Sequence, residues 1–178
     1  MASIIPPGVA ALPGGALCDE QWIYFVHGTA LTNADVRRFN RAKDLGGGDF
    51  GKGFYAYELC DTNDRLSIEA AIARSKQKHE RLRQILPYRS GQVYRYVVYV
   101  KMQRSTYTRL HKHLVKKKDA KQVYDVYARE EFMNVPIIFG PVLYDQGRQI
   151  HYDLPRQVKF ERQGTRSLEV HEIYQLAN

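Results

Sequence analysis

The 178-residue chain is poor in cysteine, in acidic residues and in uninterrupted apolar runs, and each shortage removes a class of protein. Cys18 and Cys60 can close one bridge at most, which excludes a small disulfide-stapled scaffold. A domain of this size does not need that bridge, so free thiols in a reducing compartment are expected. No stretch reaches the roughly 18 consecutive apolar residues of a transmembrane helix. Residues 1–17 are apolar, but Pro6, Pro7, Gly8, Pro13, Gly14 and Gly15 interrupt them and no basic residue precedes them, unlike a secretory signal. We therefore read residues 1–19 as a mobile tail and residues 20–178 as a single domain. The domain is expected to be cytoplasmic and monomeric with no membrane partner, delivery as an effector staying open.

Familiar catalytic signatures are also missing. There is no Gly-x-Ser-x-Gly elbow and no Walker loop, and the glycine run at 46–53 leads into strand-like sequence rather than a helix, against a dinucleotide-binding turn. His111 and His113 lie among Lys112, Lys116, Lys117 and Lys118 without a nearby cysteine, a poor setting for a cation, and no metal is expected.

What is present is basic charge. Net charge is +8 and the pI about 9.5, with the excess gathered in two runs. One holds Lys76, Lys78, Arg81 and Arg83; the other holds Lys112, Lys116, Lys117 and Lys118. Clustered cations attract polyphosphate, which makes nucleic acid a partner to consider, with a solvated helix face as the plainer reading.

Hydrophobic content of 44 % suffices for one core. Trp22, Ile23, Tyr24, Phe25 and Val26 read as a buried strand ending in His27, Gly28 and Thr29. Thr32 with Asp35 forms an approximate capping box for a short helix that turns Val36 and Phe39 inward and Arg37, Arg38 and Arg41 outward. A long helix is predicted to about Leu86, ended by Pro87, with Ile68, Ile72 and Leu82 at helical spacing. Residues 93–100 form the clearest strand. A helix from Ser105 or Thr106 into the lysine run and another over 121–132 are expected next, then strands at 136–144, 157–160 and 168–174. Strands at both ends with helices between them argue for an α+β fold with a mostly antiparallel sheet system.

Five glycines fall among residues 46–53, and Phe54, Tyr55, Ala56 and Tyr57 follow directly. Such a run permits positive φ and close approach to the backbone. Asp49 is positioned to cap or brace the turn, and Lys52 either approaches a phosphate or is merely exposed.

His27-Gly28-Thr29 at a strand end, followed by Asp49-Phe50-Gly51-Lys52-Gly53-Phe54-Tyr55, resembles the histidine-tyrosine branch of the ADP-ribosyltransferase superfamily. The likeness is to small bacterial and fungal members of unassigned function, and covers about residues 20–175. It implies two facing sheets, a split antiparallel β-sandwich, with an NAD cleft between them and inserted helices. It also implies that His27 orients a ribose, the Gly28 backbone reads the nicotinamide carboxamide, Tyr55 stacks on nicotinamide, and Thr29, Gly53 and Phe54 line the site, with a core role the plainer reading for Phe54. NAD would be the substrate, and nucleic acid or protein the acceptor.

Many members of that branch place a Glu at the start of a late strand; here Gln157 stands there, with Glu161 four positions later. A Gln can hydrogen-bond a hydroxyl but cannot neutralise developing charge. Three readings stay open: Gln157 does the work, Glu161 turns into the cleft, or NAD binds without turnover. Alternation, which sets Gln157 and Lys159 on one face and Val158 and Phe160 on the other, favours the first; Glu169 and Glu172 are outside candidates. The expected function is mono-ADP-ribosyl transfer, nucleic acid ahead of protein as acceptor. Alternatives are an NAD glycohydrolase and, from another class, a non-catalytic module that binds RNA or DNA. A toxin-like role is one of the uses that small transferases of this type serve.

Overall fold

The computed structural model describes residues 3–5, 12–13, 17–42, 46, 48–60, 64–85, 93–119, 122, 135–144, 149–151 and 154–177. In chain order the elements are β1 (Ser3–Ile5), β2 (Trp22–Thr32), α1 (Asn33–Ala42), β3 (Phe54–Glu58), α2 (Asp64–Ile85), β4 (Val93–Gln103) and α3 (Arg104–Arg109). Then follow β5 (Lys112–Leu114), a 3-10 turn (Lys117–Asp119), β6 (Ile137–Gly140), β7 (Leu143–Tyr144), β8 (Gln149–Ile150), β9 (Gln157–Phe160), α4 (Arg162–Arg166) and β10 (Glu169–Leu176).

Eight strands hydrogen-bond in the order β1-β10-β4-β2-β3-β9-β6-β5, and β7 with β8 forms a separate ribbon. Among the described residues only β1–β10 and β5–β6 run parallel, so the architecture is α+β with a mainly antiparallel sheet. β2 is its axis. All its residues from Ile23 to Ala30 are buried, and alternation divides them between two cores. Ile23 and Phe25 join Phe54, Val98, Val100, Val158 and Phe160 on one face; Tyr24 and Val26 join Ile68, Ala71, Val97 and Tyr99 on the other, beneath α2.

α2 lies unusually close to β2. Its buried side includes Ser67, Ala71 and Ser75, small residues four apart that form one smooth stripe. At the crossing, a Cβ on Gly28 would sit 1.8 Å from the carbonyl oxygen of Ala71. Gly28 is therefore required by the helix packed on it. α1 begins as expected: the Thr32 hydroxyl donates to the Asp35 carboxylate at 3.0 Å and accepts the Asp35 N–H at 3.2 Å, and Phe39 is buried.

Three expectations are corrected. Cys18 and Cys60 are bonded, with Cα atoms 5.5 Å apart, rather than free. Their approach follows from Tyr24: its N–H donates to Cys18 Sγ, and its carbonyl accepts the N–H of Leu59, the neighbour of Cys60. Within the segment read as a mobile tail, the described residues are part of the fold: β1 pairs with β10, Leu12 is buried, and the Tyr99 hydroxyl donates to the Pro13 carbonyl at 2.7 Å. The helix expected to run into the lysines stops at Arg109. Leu110 is extended and buried in the first core, so the chain must turn there, and Lys112 starts a strand. The eight-stranded sheet is nearly parted in its middle, where β2 and β3 pair at only two positions. Of the helix expected over 121–132, only Gln122, which is helical, lies within the described residues; Leu86 and Pro87 lie outside them.

Candidate functional site

β2 pairs with β4 along all 11 of its residues but with β3 at only two positions, Phe25↔Glu58 and Val26↔Tyr57. Beyond them β3 turns away to pair with β9, and the sheet forks. His27 stands at the fork. Its Nδ1 donates to the Tyr55 carbonyl oxygen at 2.5 Å, so a side chain supplies the rung that the backbones no longer make. Burial, aided by the Lys78 charge, pushes the His27 pKa down to about 3, and the ring is neutral at physiological pH. A carbonyl only accepts, so the proton is on Nδ1 and Nε2 is the acceptor nitrogen. The ring stacks against Phe54 with centroids 4.4 Å apart.

Gly28 follows on β2. The Tyr24 carbonyl faces β3, where it accepts the Leu59 N–H at 3.0 Å. Peptide groups alternate sides along a strand, so Gly28, four residues later, directs its N–H and C=O to the same side, where β3 has diverged.

Tyr55 lies on the other face of β3 from Phe54, hence from the His27 ring. Its hydroxyl donates to the Gly51 carbonyl at 2.5 Å and accepts the Phe50 N–H at 2.9 Å. A Cβ at Gly48 would lie 2.5 Å from the tyrosine ring, and Gly51 has φ 84°. The glycine run is thus wrapped on Tyr55, whose pKa is raised by burial. His27 and Tyr55 are joined through a backbone carbonyl, with their rings on opposite sides of the sheet.

Gln157 and Lys159 share one face as alternation predicts, opposite Tyr57 and Tyr55. The Gln157 amide donates to Asp49 at 2.6 Å and to the Pro141 carbonyl at 3.0 Å; Asp49 also accepts the Leu143 N–H at 2.9 Å. Asp49 is thus a brace between segments about a hundred residues apart, and burial raises its pKa. Glu161 is buried in an ion pair with Lys159, whose ammonium also donates to the Phe50 carbonyl at 2.6 Å. Lys52 and Glu169 are exposed, as is Glu172, which accepts from the Tyr174 hydroxyl.

Of the basic residues, Lys76, Arg81 and Arg83 sit on the outer side of α2, and Lys116, Lys117 and Lys118 follow β5 on the surface. Two depart from the expected pattern. Lys112 is turned inward, donating to the Tyr107 and Leu110 carbonyls with its ammonium 4.5 Å from the Tyr107 ring centre, because the chain there is a strand edge and not a helix face. Lys78 donates to the Thr29 hydroxyl at 3.1 Å, and burial pushes its pKa down to about 8. Arg74 was not singled out from sequence, although its spacing of four from Lys78 puts both on one helix face. Its positive charge acts on His27, Asp49, Tyr55 and Tyr57 together. A groove of about 330 Å³ along α2 includes Arg74, Lys78 and Arg81.

A larger cleft of about 380 Å³ contains neither His27 nor Tyr55; it lies between the segment after β5, the β6–β7 corner and the start of β9. Among the described residues, no three His, Cys, Asp or Glu side chains gather as metal ligands, and no helix is long and apolar enough to cross a membrane. No protein-family model, curated protein or solved structure matches the chain.

Proposed function

We propose that the chain is an NAD-dependent mono-ADP-ribosyltransferase, with nucleic acid as the favoured acceptor and protein the second. The observation that carries this reading is the fork: a neutral, buried His27 locked with Nε2 as acceptor, next to a Gly28 backbone directed to the side where β3 has diverged. Nε2 accepts from a ribose hydroxyl, and the Gly28 N–H and C=O pair with a carboxamide, which offers one acceptor and two donors. Arg74 and Lys78 border the fork and suit a pyrophosphate. In the reaction the bond from ribose C1′ to nicotinamide breaks, and nicotinamide leaves with the electron pair. An acceptor lone pair then closes on the cationic C1′ and the acceptor's proton passes to solvent.

A second reading has its own support. His27, Tyr55 and Gln157 all have structural hydrogen bonds, which favours a non-catalytic module that binds RNA or DNA. The test is incubation with NAD labelled in its adenylate half, with and without RNA, DNA and protein, following free nicotinamide and label on polymer. Label on one polymer, abolished by His27→Gln in a variant that melts like wild type, supports transfer. Nicotinamide release without labelled polymer means hydrolysis. No release under any condition sinks the enzyme reading and leaves the binding module.

A further inference from the structure

We propose that the cleft between β5 and the start of β9 seats a nucleoside phosphate. Its role as the seat of one acceptor nucleotide rests on the transfer reading; its existence as a binding site does not. The cleft has two kinds of wall. Leu114, Val115, Pro141, Leu154 and Pro155 are apolar, and Leu114, 54 % exposed, turns toward it rather than into a core. Lys116 and Lys117 continue directly from Leu114 and Val115, so cations stand at the edge of the apolar surface. Arg156 also lines the cleft, paired with Glu58 of the same wall at 2.7 Å and set against the Phe139 ring at 4.7 Å, so that the net positive charge there is that of the two lysines.

A volume of about 380 Å³ is at the lower end of ligand clefts, about the size of one nucleotide. A simple polyanion would engage the lysines and leave the apolar wall bare. An apolar ligand would do the reverse. A nucleoside phosphate uses both walls, its base against Leu114, Leu154 and Pro155 and its phosphate on Lys116 and Lys117. The cleft is also coupled to the braced carboxylate: Pro141 in its wall accepts from Gln157, which donates as well to Asp49.

The test needs no NAD. Fluorescein-labelled single-stranded RNA and DNA hexamers are titrated by anisotropy at several salt concentrations. Lys116→Ala/Lys117→Ala is expected to weaken binding at least about tenfold and to lower the salt slope by about 1.4, two phosphate contacts on a single strand. Leu114→Ser should weaken binding about fivefold with the slope unchanged, as loss of an apolar contact requires. All three positions are exposed, so these variants should fold. AMP competing as well as unlabelled hexamer identifies a free nucleotide as the ligand, and competition by hexamer alone identifies a strand; either supports the cleft. Absence of hexamer binding overturns it. So does wild-type affinity in both cleft variants while Lys76→Ala/Arg83→Ala on α2 loses it, or wild-type affinity in Leu114→Ser with heparin competing as well as hexamer. NAD binding measured on the same proteins separates the two ideas: failure of NAD to bind, with hexamer binding lost in the cleft variants, ends the transferase reading alone.

Discussion

His27 Nδ1 lies 2.5 Å from the carbonyl oxygen of Tyr55, one step beyond the last backbone pair between β2 and β3. This contact closes the fork, fixes the tautomer of the histidine and keeps the ring uncharged.

A pH dependence follows. The folded His27 pKa is about 3 against 6.5 for the free side chain, so as pH falls the unfolded chain takes up the proton first. Stability present above pH 6.5 is therefore lost progressively toward pH 3, at up to about 1.4 kcal/mol per unit. Between about pH 7 and about pH 4.5 wild type should lose about 2 kcal/mol more than His27→Gln in denaturant melts. Equal losses in the two proteins would refute the buried neutral histidine, and a nitrogen spectrum with the proton on Nε2 would refute the contact.

Gly28 tests the closeness of α2. Adding a methyl against the Ala71 carbonyl forces helix and strand apart, and Gly28→Ala should cost about 3 kcal/mol or prevent folding. Gly46, where an added Cβ meets nothing within 4 Å, is the control, and Gly46→Ala should stay within about 0.5 kcal/mol of wild type. Thermal melts of the two variants suffice.

The Lys159–Glu161 pair lies beneath the glycine run, with side chains only 1 % and 8 % exposed. Removing one partner strands the other charge, so Lys159→Met should destabilise by about 4 kcal/mol. Lys159→Met combined with Glu161→Gln should recover a large part of that loss. Additive effects across this double-mutant cycle would show that the two groups do not act as a pair.

Lys78 makes NAD affinity pH-dependent in the proposed reading. With a pKa of about 8 its ammonium is charged below that value, so pyrophosphate affinity should fall as pH rises from about 7 to about 9. Lys78→Arg, which stays charged, should bind with little change across that range. Calorimetric titration with NAD checks it, and a matching decline in the arginine variant excludes Lys78 as the titrating group.

Much of this architecture was legible in local pattern. β2 and β4 follow from runs of β-branched and aromatic residues, β9 from alternation, and the start of α1 from Thr32 and Asp35, because these signals act over a few residues. The lysine run misled for the same reason. Residues 105–118 have helical spacing, but burying Leu110 beside Ile23 and Phe139 took precedence over propensity and turned the chain into β5. Gly28 was legible as a position without a side chain. That α2 needs the space was not, since Ala71 is 43 residues away in sequence.

The sequence by itself determined the alternation that sets Gln157 and Lys159 on one face, the placement of His27, Gly28 and Thr29 along one buried strand, and the surplus of positive charge. These are consequences of chain periodicity and composition. Only the tertiary structure decided that Cys18 meets Cys60, that Asp49 braces Gln157, that Arg74 bears on both His27 and Tyr55, and that the His27 and Tyr55 rings face opposite ways. Each of these depends on where β3 leaves β2, which is set by the balance of pairing and burial over the whole sheet and not by any neighbouring residues.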